Sequence, residues 1–294
     1  MPETPHTQRF FVENTYPVGE VTLRVASSPP GDPPLVTLHG VTRRWQTFFP
    51  VAAQLTTRFR LHAVDLRGHG GSTRGAAYRT VDYVDDIVRL LRDHLREPAV
   101  LYGHSLGSMV AAAVAAKAPE AVRALILEDP PFHTMGDRIR QTRLHSYFQG
   151  VYDLVHAKLP FAELLRRLPE IRMVDPQTNG VQRLGDVRDA VFLRFTAQSL
   201  TQLDPRVMEP IVDATWLKGY DWREIIPSIA APTLLLRADP AAGGMLIDED
   251  ARWCEQHLRD GTSVYYPGAA HLIHWARSQE LASHVLGFLA SLDH

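Results

Sequence analysis

Residues 99–118 read AVLYGHSLGSMVAAAVAAKA, and their order decides the fold. Ala99 to Tyr102 form a short apolar run, the mark of a strand buried on both faces, and the alanine-rich run after Leu106 is long enough for a helix. Between them stands Gly103-His104-Ser105-Leu106-Gly107. A serine on so tight a strand–turn–helix corner is forced into strained backbone angles. Small residues two places before and after it let the neighbouring backbone approach. The corner exposes the Ser105 hydroxyl as a nucleophile and sets the Leu106 N–H at a helix N-terminus, where it can donate to a developing oxyanion. A merely structural serine is the competing reading, and the flanking strand and helix tell against it.

Outward from this corner, short apolar runs alternate with helix-length amphipathic stretches, as in a parallel sheet wrapped by helices. FFVEN (10–14) and EVTLRVAS (20–27) predict an edge hairpin. LVTLHG (35–40), RLHAVDL (60–66), VRALILED (122–129), PTLLLRAD (232–239) and TSVYYP (262–267) predict further strands. Helices are expected over 45–58, 80–95, 106–118, 248–258 and 278–292. From Pro130 to about Trp222 the alternation stops. Helix-like pieces follow, broken by Pro160, Pro169, Pro176, Gly180, Gly185, Pro205 and Pro210.

The 294 residues carry 31 Lys+Arg against 33 Asp+Glu, a balance that argues against a nucleic-acid binder. A hydrophobic content of 45 % is ample for a large core. One cysteine, Cys254, excludes an intramolecular disulfide framework and a Cys-rich metal site. The opening MPETPHTQRF lacks the apolar core of a secretory leader, and no apolar run is long enough to span a membrane. A cytoplasmic protein is therefore expected. His6, His94, His257 and His294 read as surface or helix-face residues, and no His/Asp/Glu spacing stands out as a metal site.

Other segments add chemistry. His39-Gly40 ends the strand LVTLHG, and a glycine there lets the chain turn so that the Val41 N–H can complete an oxyanion hole. A plain strand-ending turn explains it equally well. DLRGHGGS (65–72) reads as scaffold, a turn tied by its Asp and Arg side chains. His271 lies in the loop PGAAHLIHW after the last strand, with His274 as its competitor.

Together, HG at 39–40, DLRGHGGS at 65–72, GHSLG at 103–107 and the late His271 resemble the α/β-hydrolase fold family. The similarity covers about 10–129 and 222–292. It implies a mostly parallel eight-stranded sheet with flanking helices, an α/β core over 1–131 and 222–294, and an inserted helical cap over 132–221. It also implies a Ser–acid–His triad, with Ser105 as nucleophile, His271 as general base, and Val41 and Leu106 N–H as oxyanion donors. The acid is open. The family's usual site after PTLLLRAD places alanine where the acid should stand, with Asp239 two residues early. Some subfamilies place the acid at the end of the strand after the nucleophile helix, which here ends Glu128-Asp129. Asp129 fits that spacing, and Glu128 should face the other side of the strand.

The resemblance implies a carboxylic ester hydrolase or lactonase acting through an acyl-enzyme, with no cofactor and no metal. A C–C bond hydrolase or lyase on the same triad, and a low-turnover ligand receptor, are the alternatives. The expected substrate is a small, mainly apolar ester or lactone, since the insert supplies Phe132, Tyr147, Phe148, Phe192 and Trp216 among other aromatics. Its many arginines, including Arg138, Arg143, Arg166, Arg167, Arg183 and Arg188, are read as a solvated helix face, with anion binding as the alternative. DPAAGGML (239–246) lies where a loop would line the pocket. A monomer or homodimer is expected, with no nucleic-acid or membrane partner.

Overall fold

The computed structural model describes residues 10–175 and 177–292. The expectations for His6, His294, Pro176 and the opening segment therefore fall on residues outside those described. The strands run β1 Val12–Pro17, β2 Thr22–Ser27, β3 Pro34–Leu38, β4 Arg60–Val64, β5 Ala99–His104, β6 Val122–Glu128, β7 Arg172–Val174, β8 Val181–Arg183, β9 Thr233–Ala238 and β10 Gly261–Tyr266. The helices are α1 Phe49–Leu55, α2 Val84–Arg89, α3 Leu106–Lys117, α4 Arg143–His156, α5 Phe161–Arg167, α6 Leu184–Val187, α7 Ala190–Leu200, α8 Glu209–Val212, α9 Trp222–Ser228, α10 Asp248–His257, α11 Ile273–Ala276 and α12 Ser278–Ala290.

Eight strands form one sheet in the order β1-β2-β4-β3-β5-β6-β9-β10. The β1–β2 and β2–β4 pairs are antiparallel and every other pair is parallel. All six residues of β5 are buried, as its central place requires. Its side chains alternate between two cores. Leu101 packs with α2 and α3, while Val100 and Tyr102 pack with α1 and α12. Helix α3 lies against the sheet, buried from Leu106 to Ala115, so small alanines replace an amphipathic pattern.

The strand order reverses around β3: β4 lies on one side and β5 on the other. In open α/β sheets, ligands bind beyond the carboxyl ends of the strands at such a switch point. Here that places the turn after β3 beside the corner after β5.

Two local expectations change. The helix expected over 80–95 starts as a 3-10 turn at 80–83 and closes with a π turn at 90–95, ending at Arg96 in left-handed geometry with φ 61°. The stretch from 132 to 221 is mostly helical but also holds the antiparallel hairpin β7–β8. Each of its strands is only three residues long, too short to carry a readable alternation.

Candidate active site

Ser105 stands between β5 and α3 with φ 54° and ψ −117°, a backbone state that L side chains rarely adopt. Its N–H donates to the Glu128 carbonyl at 3.0 Å, and its own carbonyl accepts from Ser108 Oγ at 2.8 Å. The flanking glycines are steric necessities. A Cβ on Gly103 would lie 2.2 Å from the Gly107 carbonyl oxygen, and one on Gly107 would lie 1.9 Å from that of Leu38.

The turn after β3 is fixed from both ends. His39 Nδ1–H donates to the Gly40 carbonyl at 2.8 Å, and its Nε2 accepts from Leu66 N–H at 3.1 Å. Burial, and then the neighbouring His69, hold the His39 imidazole well below its usual range and therefore neutral. Val41 follows Gly40 on the cavity wall, and Leu106 opens α3 directly after Ser105.

Asp129 follows β6 with φ 44°, a left-handed state that aspartate tolerates better than most residues. Its carboxylate is fully buried and accepts from Met245 N–H at 2.8 Å and Leu246 N–H at 3.1 Å. His271 Nδ1–H donates to the same carboxylate at 2.6 Å. Asp239 is engaged elsewhere. It accepts from Ala241 N–H and Gly268 N–H, each at 2.9 Å, and these bonds, with Gly268 foremost, hold its carboxyl below the usual range. Asp239 thus ties the turn after β9 to the loop that carries His271.

Glu128 does point to the other face. It accepts from Tyr102 O–H at 2.6 Å and from His274 Nδ1–H at 2.8 Å, all three residues being fully buried. His274 Nε2 accepts from Thr47 Oγ1–H at 3.0 Å. His104 donates through Nε2 to the His271 carbonyl at 3.1 Å, so it braces the loop from behind. Burial drives its imidazole well below the usual range, and its Nδ1 has no partner. Nitrogens of His104 and His274 and an oxygen of Glu128 lie within 4.8 Å of one another. Those of Glu128 and His274 are taken up by the hydrogen bonds just described. In the sequence the Glu128–His274 pairing leaves one signal, the three-residue spacing of His271 and His274.

DLRGHGGS is a tie, as read. Arg67 forks onto Asp86 at 2.6 and 2.7 Å, and Asp65 accepts from Trp45 N–H and Gly71 N–H. Cys254 is buried in α10, where burial pushes its thiol up and away from reactivity.

Ser105 and His271 face a common cavity of about 590 Å³. One wall is the segment 240–245 after β9, as expected, and another comes from the residues between β6 and β9. The arginines there divide into two groups. Arg166 and Arg167 pair with Glu163, and Arg183 with Asp186 and Glu170. Arg138, Arg143 and Arg188 line the cavity, Arg143 paired there with Asp175, together with Arg43 from the turn after β3. Burial draws the Arg43 guanidinium down to about 10, a value at which it still carries its charge at neutral pH.

A family model described as alpha/beta hydrolase fold matches residues 33–278. Among curated proteins, a pimeloyl-[acyl-carrier protein] methyl ester esterase of Yersinia enterocolitica is 35 % identical over 245 residues, 82 % of this chain and 87 % of that protein. A 2-(acetamidomethylene)succinate hydrolase of Mesorhizobium japonicum is 38 % identical over 120 residues, 40 % of this chain and 43 % of that protein. The chain thus spans less than half the length of that relative. A solved structure of E-2-(acetamidomethylene)succinate hydrolase superposes with a TM-score of 0.74 at 23 % identity, covering 95 % of this chain and 99 % of the other.

Proposed function

This chain belongs to the α/β-hydrolase fold family, and from that premise we propose that it is a serine hydrolase of small carboxylic esters or lactones. Ser105 is the nucleophile, His271 the general base and Asp129 the triad acid. The observation that carries this reading is the strained Ser105 corner opening on the cavity it shares with His271, whose Nδ1–H is held by buried Asp129 at 2.6 Å.

The chemistry follows from the arrangement. Asp129 fixes the tautomer that leaves His271 Nε2 free to take the Ser105 proton and steadies the imidazolium that forms. The Ser105 Oγ–carbon bond forms as the carbonyl electrons move onto oxygen, which the Val41 and Leu106 N–H groups receive. Collapse expels the alcohol with the proton from His271 and leaves an acyl-enzyme. Water, deprotonated by His271, then adds to the acyl carbon and releases the acid and Ser105. Relatives named as methyl ester esterases support ester cleavage.

Residues 1–131 and 222–294 form the catalytic core in this reading, and 132–221 the lid, with α9 counted to the core because it packs on α3. The enzyme acts as a monomer or homodimer. Hydrolysis of p-nitrophenyl acetate and butyrate tests the proposal. A burst of p-nitrophenol followed by slower turnover, both lost in Ser105→Ala, is expected. Ligand retention with no turnover on any ester or lactone would favour a receptor instead.

A further inference from the structure

Arg43 is a charge buried beside the nucleophile with no acid to meet it. It is only 6 % exposed. Its Nη1 donates to Thr196 Oγ1 at 2.6 Å, and its guanidinium lies 4.5 Å from the centre of the Phe192 ring. Arg188 lies 4.9 Å from the centre of the same ring. Among the described residues no carboxylate pairs with Arg43. The only carboxylate described on the cavity wall is Asp175, which is held by Arg143 at 3.4 Å and by the Gln177 N–H at 2.9 Å.

A guanidinium taken out of water is costly unless an anion compensates it, and a second like charge beside it adds to that cost. Thr196 and the ring face satisfy one N–H and one side of the plane. The planar fork suits a carboxylate, which it can grip through two parallel hydrogen bonds. Arg43 also ends the turn that carries the Val41 N–H, since its own N–H donates to the Gly40 carbonyl at 3.2 Å. A group held by Arg43 is thereby fixed relative to the oxyanion site. We propose that the ester cleaved here carries a carboxylate, received by Arg43 with Arg188 beside it while Ser105 attacks the ester carbonyl. This rests on the serine-hydrolase reading above and replaces the mainly apolar substrate with an acid-bearing one.

The competing role for Arg43 is a latch between the core and α7 through Thr196. Two esters of equal chain length separate the roles: monomethyl glutarate and methyl valerate, followed by acid release. Wild type is expected to favour the glutarate by about tenfold or more in kcat/KM. Arg43→Met is expected to abolish that preference, lowering the glutarate value about 30-fold more than the methyl valerate value, the size of effect expected when one side of a buried charge pair is removed. Thr196→Val removes the latch but keeps the charge, and should keep the preference. Equal use of both esters by wild type, or equal loss of both in Arg43→Met, overturns the proposal and leaves the serine-hydrolase reading standing. Labelling of Ser105 by a fluorophosphonate reports on that reading separately. Where neither ester is cleaved, calorimetric binding of the glutarate dianion decides. Binding to wild type that is lost in Arg43→Met supports the anion site, and no binding, or equal binding to both, overturns it.

Discussion

Glu128 and Asp129 are consecutive residues whose carboxylates leave the end of β6 in opposite directions, and each holds a different histidine, Asp129 that of the loop after β10 and Glu128 that of α11. Asp129 takes His271 Nδ1–H at 2.6 Å on the cavity side, and Glu128 takes His274 Nδ1–H at 2.8 Å in the core. Glu128 ends the strand and Asp129 leaves it in left-handed geometry, which separates the pair. One half faces Ser105 and the other is sealed between Tyr102 and Thr47.

Asp129→Asn should therefore disable turnover while Asp239→Asn should not. Asparagine at 129 disturbs the His271 tautomer, and kcat is expected to fall about 10³–10⁴-fold, as when a triad acid is replaced. Asp239→Asn weakens a turn tied to Gly268 and Ala241, with kcat expected to stay within about tenfold of wild type. Steady-state kinetics on one ester decide this, and a larger loss in Asp239→Asn would move the acid to position 239.

Glu128→Gln should reverse the pattern, costing stability more than rate. An amide cannot replace a buried carboxylate that receives Tyr102 O–H and two N–H groups of His274. Breaking one side of such a buried set costs about 3 kcal/mol. Urea unfolding should show this loss with kcat lowered less than about tenfold. Unchanged stability with a loss of rate equal to that of Asp129→Asn would make Glu128–His274 the working pair.

Acid should weaken the fold before the carboxylates of the surface are protonated. Burial lowers His62 and His69 to about 4, so the folded chain keeps them neutral while the unfolded chain protonates them below about 6.5. Their stabilisation is complete above that range and is lost as pH falls towards 4. Burial raises Asp65 to about 6 and also raises Asp86 and Asp250, and these three carboxylates act in the opposite sense as pH falls. The histidines prevail, since His39 and His104 are lowered as well, both of them well below the ordinary imidazole range. A net loss of about 3 kcal/mol between pH 7 and 4.5 is expected from urea midpoints, with a shallower fall in His69→Gln. Equal or greater stability at pH 4.5 would contradict this.

The sheet was legible because its central strands are continuous apolar runs and its corner demands glycines at fixed places. β5, α3 and the Gly103–Gly107 corner are visible for that reason. The residues between β6 and β9 were less so. β7 and β8 are too short for a period, and an arginine on a cavity wall has the same sequence signature as Arg166 or Arg183 on a solvated face. Arg43 and His274 are polar residues buried by tertiary contacts from distant elements, Thr196 and Glu128, which no local pattern encodes.

The most direct test is intact-protein mass spectrometry of the chain quenched in acid seconds after mixing with p-nitrophenyl butyrate. One butyryl adduct per chain is expected, mapped by peptide sequencing to Ser105. It should be absent in Ser105→Ala, and its formation should be strongly slowed in His271→Ala. An adduct on another residue, or Ser105→Ala acylated at the wild-type rate, would contradict Ser105 as the nucleophile.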